Sequence, residues 1–180
     1  MAQWNTRGLR GSAFEELVSL TNQLYRQHGL ALIQKIPTPI TPIEVDNQKH
    51  TITKAYFEAK STVDYIGVAQ GIPICFDAKE TQYKSLPLKN IHPHQVDFME
   101  SFIKQEGIAF LLVNFKTFSE TYFLPWDQFK KCYSRSKEGG RKSIAYDEFD
   151  PVYSVGNSDG FPVHYLEAIN VYLSSSSNES

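Results

Sequence analysis

Apolar positions recur at helical spacing near the start of the chain. Phe14, Leu17, Val18, Thr21, Leu24 and Tyr25 fall on one face if residues 12–28 form a helix, and Gly29 supplies a stop. Residues 30–36 read as a short apolar strand, after which Pro37, Pro39 and Pro42 interrupt regular structure. The stretch 41–54 offers few positions for a core, so it reads as an excursion from the domain body, either a long hairpin or a loop. Strand patterning returns over 63–69, 72–79 and 108–114, and Gln70-Gly71 suggests a tight turn between the first two. Pro93 suits the first position of a helix that runs toward Glu106 and ends at Gly107. A strand over 121–124, a short helix over 126–133 and a closing helix over 163–173 complete the pattern. Residues 1–11 read as a flexible arm, 12–173 as one domain without internal repeats, and the serine-rich 174–180 as a disordered tail.

Composition changes this picture little. The 180 residues are 41% hydrophobic and 21% charged, enough for one core without disulfide or metal staples. Cys75 and Cys132 give neither a disulfide framework nor zinc spacing and fit a reducing compartment. The first eleven residues do not read as a signal peptide, and no apolar run spans a bilayer, so a cytoplasmic protein without a membrane partner is expected. A net charge of −2 argues against indiscriminate nucleic-acid binding but leaves room for local basic faces. Arg7 and Arg10 form one such cluster, and Arg141 and Lys142 another, beside a glycine pair.

The informative chemistry lies in residues 61–65 and 75–81. In a strand, residues two apart share a face, so Asp77 and Lys79 point the same way while Ile74, Phe76 and Ala78 make the other face apolar. The hairpin brings Asp64 toward that pair. Two carboxylates suit Mg²⁺, and a neighbouring lysine can stabilise charge on a phosphate or orient water. An isolated D-x-K is usually a surface ion pair, and spacing alone leaves both readings open. His92 and His94 lack the further ligands a zinc site needs. The segment 139–143 lacks P-loop spacing, so no nucleotide cofactor is expected; it is either a solvated basic turn or a DNA-backbone contact.

The order of acid, hairpin and D-x-K resembles the PD-(D/E)XK nuclease pattern. The surrounding words resemble the RecU family of Holliday junction resolvases: Lys35-Ile36-Pro37-Thr38-Pro39, Ser61-Thr62-Val63-Asp64-Tyr65-Ile66-Gly67-Val68, Phe76-Asp77-Ala78-Lys79-Glu80-Thr81 and Gly139-Gly140-Arg141-Lys142-Ser143-Ile144. The resemblance runs from about Arg10 to Leu173. It implies a restriction-endonuclease-like α/β fold, a mixed sheet flanked by helices with a protruding stalk at the excursion. It also implies a Mg²⁺-dependent endonuclease, with Mn²⁺ as a possible substitute, that acts on four-way DNA as a homodimer and leaves 5′-phosphate ends. Asp64 and Asp77 would bind the metal, with Thr62 touching metal-bound water or phosphate, and Lys79 would be the catalytic lysine. Gln95, on the helix after Pro93, and Glu15, in the first helix, would complete the catalytic set. Arg10, Lys49, Arg141 and Lys142 are the expected DNA contacts. The family commonly has glutamate at the position of Asp77; the shorter side chain would draw a metal closer to the strand. A junction-binding protein with little or no cleavage, or a duplex-cutting nuclease of the same superfamily, are the alternatives.

Overall fold

A computed structural model describes residues 12–57 and 62–177. Helix α1 (Ala13–Gln27) opens with Ser12 accepting a hydrogen bond from the Glu15 N–H and buries Phe14, Val18, Thr21, Asn22 and Tyr25. Strand β1 (Ala31–Lys35) follows, then β2 (Ile40–Asp46) and β3 (Thr51–Phe57), which pair only with each other. The excursion is therefore a hairpin, standing apart from the main sheet. Next come β4 (Tyr65–Ala69), β5 (Ile72–Thr81), the short β6 (Ser85–Pro87) and α2 (Pro93–Ile103). Strands β7 (Ile108–Phe115) and β8 (Glu120–Pro125) precede α3 (Trp126–Lys137). The chain closes with β9 (Ser143–Ala145), β10 (Ser154–Val155) and α4 (Tyr165–Ser177).

The main sheet has the order β1-β4-β5-β7-β8-β10, with only β5 and β7 parallel. This is the expected mixed α/β architecture. Alternation along β5 and β7 divides the core. Phe76, Phe110 and Leu112 face α1 and α4, whereas Cys75, Leu111 and Val113 share a cluster with Val96 and Met99 of α2 and Phe129 of α3. Across the first face, Tyr65, Phe76, Phe110 and Phe123 form a ladder with successive ring centroids 4.7, 4.7 and 4.6 Å apart. The β4–β5 turn is tight, with Gln70 and Gly71 both at positive φ, as its sequence suggests. At Gly67 a Cβ would meet the Leu32 carbonyl oxygen of β1 at 2.1 Å, so this close strand approach requires glycine.

The structure departs from the sequence pattern in three places. The closing helix continues to Ser177, so 174–177 are helical rather than disordered, and the Ser174 and Ser175 hydroxyls donate back to the Asn170 and Tyr172 carbonyls. The β6–β9 ribbon and the edge strand β10 have two or three residues each, too few to show a period in the sequence. The strand expected from residue 63 begins at Tyr65, so Thr62 and Asp64 lie in the approach to it. The arm at 1–11, with Arg7 and Arg10, and the tail at 178–180 fall outside the described residues. No helix of the described residues is long and apolar enough to cross a membrane.

Candidate active site

The register of the β4–β5 ladder builds the site. Tyr65 pairs with Phe76, so one step further Asp64 lies opposite Asp77. Tyr65 and Phe76 stack on the α1 side, which turns Asp77 to the other face of β5, and Lys79 follows it two residues later. Asp77 is fully buried; the side chains of Asp64 and Lys79 are 29% and 15% exposed, so the cluster opens to solvent through these two.

Each carboxylate is held by the other's backbone segment. Asp77 Oδ1 accepts from the Asp64 N–H at 2.7 Å, and Asp64 Oδ2 accepts from the Ala78 N–H at 3.1 Å. Lys79 Nζ lies 3.3 Å from Asp77 Oδ2 and 3.8 Å from Asp64 Oδ2. The first contact is close enough for charge attraction but is not aligned as a hydrogen bond, and Asp77 Oδ2 has no hydrogen-bond partner. A buried carboxylate oxygen in that state is costly. Burial pushes the Asp77 carboxyl up to about 6, against the pull of Lys79 and with a further push from Asp64. Burial also raises Asp64, again opposed by Lys79. Both carboxylates thus hold their charge at a cost that a divalent cation would relieve. The oxygen-donor set, with an Oδ2 that accepts no aligned hydrogen bond, fits a hard cation such as Mg²⁺ or Mn²⁺.

The other expected residues are distributed around this centre. Glu15 lies near enough to Asp64 to raise it electrostatically, but its carboxylate is engaged by Lys35 at 2.7 Å. Lys35, in turn, stabilises the charge on Asp64. Lys35 stands in the Lys35-Ile36-Pro37-Thr38-Pro39 word, but no spacing in the sequence marks it as a site residue. Gln95 is buried on the same side of the sheet as Asp77, and its Oε1 accepts from the His92 N–H at 3.0 Å, which fixes the start of α2. Among the described residues no hydrogen bond joins it to Asp64, Asp77 or Lys79. Thr62 is half-buried ahead of β4, so strand alternation does not decide where its hydroxyl points.

The expected DNA contacts lie elsewhere. Lys49 is exposed at the tip of the β2–β3 hairpin, 3.9 Å from Asp46. Arg141 donates to the Ser143 hydroxyl at 3.1 Å and sits 3.8 Å from Glu148, so its guanidinium is partly occupied. Lys142 is exposed and lines a groove of about 410 Å³ with Lys89, His92 and Lys137. That groove is the more basic surface, and Lys89 and Lys137 are members the sequence pattern did not single out.

Comparison with known proteins places these features in a lineage. Residues 9–171 match the family model RecU, Recombination protein U. A Staphylococcus aureus protein named Holliday junction resolvase RecU is 43% identical over 145 residues, which cover 78% of this chain and 70% of that protein. A Geobacillus protein of the same name is 42% identical over 147 residues, covering 79% of this chain and 73% of its own length. Among solved structures, Archaeoglobus fulgidus Hjc, described as a Holliday junction resolvase, aligns with a TM-score of 0.40 and 12% identity over 66% of this chain and 74% of that one.

Proposed function

The chain belongs to the Recombination protein U family, and from that premise we propose that it is a metal-dependent endonuclease that resolves four-way DNA junctions. The observation that carries the chemistry is Asp77, a wholly buried carboxylate whose Oδ2 accepts no aligned hydrogen bond, beside Asp64 and Lys79. Asp64 and Asp77 would hold Mg²⁺, or Mn²⁺ in its place. When bound, the cation supplies a Lewis acid for the scissile phosphate and lowers the pKa of water. The Asp64 and Ala78 N–H groups already orient one oxygen of each carboxylate before any ligand arrives. Lys79 brings a positive charge to the point where the phosphate gains negative charge, or orients the attacking water. Lys35 and Glu15 buffer the charge of Asp64 from the α1 side. Gln95, with its carbonyl held at the helix start, would use its amide toward phosphate or water. In-line attack by water would leave 5′-phosphate and 3′-hydroxyl ends.

A four-way junction offers equivalent strands about a twofold axis, so a homodimer with two identical sites would deliver paired nicks. The β2–β3 hairpin would engage the open centre of the junction. Its support is negative and positive at once: it pairs with no strand of the main sheet, yet it exposes Ile43, Val45, Ile52 and Tyr56.

The test is a cleavage assay on end-labelled four-way junctions and linear duplex, with Mg²⁺ and with Mn²⁺. Symmetric paired nicks in the junction, with little duplex cutting, are expected. Binding without cutting in either metal leaves a junction-binding protein, and equal cutting of both substrates leaves a general nuclease.

A further inference from the structure

At the far end of the β4–β5 hairpin from Asp64 and Asp77, the structure assembles a second set of ligand-type side chains. We propose that Asp159, His164 and Glu167 form a binding site for a transition-metal ion of the Zn²⁺ class, which clips the turn before α4 to the first turn of that helix. One ligand atom from each lies within 4.8 Å of the others. The chain reaches this arrangement through a tight turn: Asp159 and Gly160 have positive φ, and Ser158 and Phe161 form an isolated bridge.

His164 is the observation that points to a cation rather than to an acidic surface. It is more than nine-tenths buried, and its Nδ1 lies 2.8 Å from the Tyr25 hydroxyl. Burial holds Tyr25 well above the ordinary range for a phenol, so it stays neutral. Either group can donate in this contact; the Tyr25 hydroxyl also accepts from the Leu166 N–H at 3.4 Å and can donate to the Val163 carbonyl at 3.5 Å, so its oxygen is able to take the Nδ1 proton. When the ring donates through Nδ1, Nε2 keeps its lone pair for a metal, the arrangement in which a metal-binding imidazole is held through its other nitrogen. Glu167 is oriented similarly, its Oε2 accepting from the Ser158 hydroxyl at 2.9 Å.

No lysine or arginine among the described residues forms an ion pair with Asp159 or Glu167. None lines the adjoining cavity of about 550 Å³, whose walls include Leu30, Ile72 and Phe161. No fixed Lys or Arg charge among the described residues therefore competes with a cation for the two carboxylates. An imidazole with two carboxylates favours Zn²⁺ and its neighbours over Mg²⁺. Bonds of about 2.0–2.2 Å require the donors to close to roughly 3.3–3.5 Å, and both carboxylates are on exposed residues that can move. Ala69, Gln70 and Ile72 at the hairpin turn line the same cavity. Five residues of strand separate that turn from the other acidic cluster, about 17 Å at ~3.3 Å per residue, so one ion cannot serve both.

The test uses the full chain carrying Asp77→Asn, which weakens the first cluster. Zn²⁺ is titrated in competition with a chromophoric chelator, and melting is followed in parallel. The expected result is one Zn²⁺ per chain at about micromolar affinity or tighter, with a rise in Tm. Asp159→Asn and Glu167→Gln, added singly, should each weaken Zn²⁺ at least ~10-fold and abolish the rise while leaving the metal-free Tm near that of the parent. Unchanged Zn²⁺ affinity in both variants, or no binding below about 100 µM, overturns the proposal.

Discussion

The sheet and the β2–β3 hairpin break the usual rule of burial in opposite directions. In the sheet, charge is inside: Asp77 is fully buried and Lys79 nearly so. In the hairpin, apolar side chains are outside: Ile43, Val45 and Ile52 are each about half exposed, and neither strand pairs with the main sheet. Burying a carboxylate costs several kcal/mol, and leaving an aliphatic side chain in water forgoes about 1.5–3 kcal/mol. Neither arrangement serves the isolated chain. The buried charge calls for a cation held by a rigid frame, whereas the exposed apolar strip calls for a surface supplied from outside. Under the proposed function, the first is where bonds break and the second is where the substrate's shape is sensed.

The largest separation of the two regions should appear in cleavage. Asp77→Asn and Lys79→Ala should each lower the single-turnover rate on a junction by about 10² or more. Asp77→Asn should leave the fold intact, since Asn retains the acceptor for the Asp64 N–H. A wild-type rate from either variant would remove this cluster from the active site.

The same Asp77→Asn change should stabilise the protein without divalent cations. Asp77 has a folded-state pKa raised from 3.8 to about 6, so the folded state binds its proton more tightly than the unfolded chain does. Its contribution to stability is full below about 3.8 and is lost as pH rises through about 6. Denaturant unfolding of the two proteins in EDTA should therefore give similar stabilities near pH 3.8. The variant should gain on the order of 3 kcal/mol by pH 7. Mg²⁺ should narrow the gap by stabilising the parent alone. A variant less stable than the parent at pH 7 would mean that Asp77 is satisfied without a metal.

How far the site was legible follows from which rule placed each residue. Asp64, Asp77 and Lys79 obey local rules, a period of two and a two-residue turn, so the sequence predicts their convergence. Glu15 and Gln95 sit on the helices expected for them, but their partners do not follow from helical spacing. Lys35 claims the Glu15 carboxylate across 20 residues, and the His92 N–H claims the Gln95 carbonyl at the helix start. Thr62 lies three residues ahead of its strand, so a period of two does not reach it. The main strands and helices were readable because each carries several apolar positions. The β6–β9 ribbon was not, because its Ser85↔Ala145 to Pro87↔Ser143 pairing depends on tertiary contact. The set Asp159, His164 and Glu167 was invisible for a related reason: a turn with two positive φ values folds it together, and His164 is anchored by Tyr25, 139 residues away.

The hairpin gives the next largest effect. Replacing Glu44 to Thr53 with a short Gly-Ser turn should leave Tm within a few degrees, because β2 and β3 pair only with each other. Junction affinity in a gel-shift titration should fall at least ~10-fold, and affinity for linear duplex much less. Equal losses would make the hairpin a general DNA contact, and no loss would make it a plain surface element.

The smallest effect separates shape from charge within the hairpin. Glu44 and Asp46 balance Lys49 and Lys54, with Lys–carboxylate distances of 3.9 and 4.0 Å, so this segment cannot draw DNA by net charge. If Lys49 nonetheless meets a phosphate, Lys49→Ala should weaken junction binding only a few-fold and lower the slope of log affinity against log salt by about 1. Asp46→Asn should act in the opposite direction. It removes the competing negative charge, while an amide oxygen can still accept from the Gln48 and Lys49 N–H groups that define the turn. Titrations at two salt concentrations read both changes. An unchanged slope in Lys49→Ala, together with the large loss on hairpin replacement, would assign recognition to the exposed Ile43, Val45, Ile52 and Tyr56 surface rather than to phosphate contact.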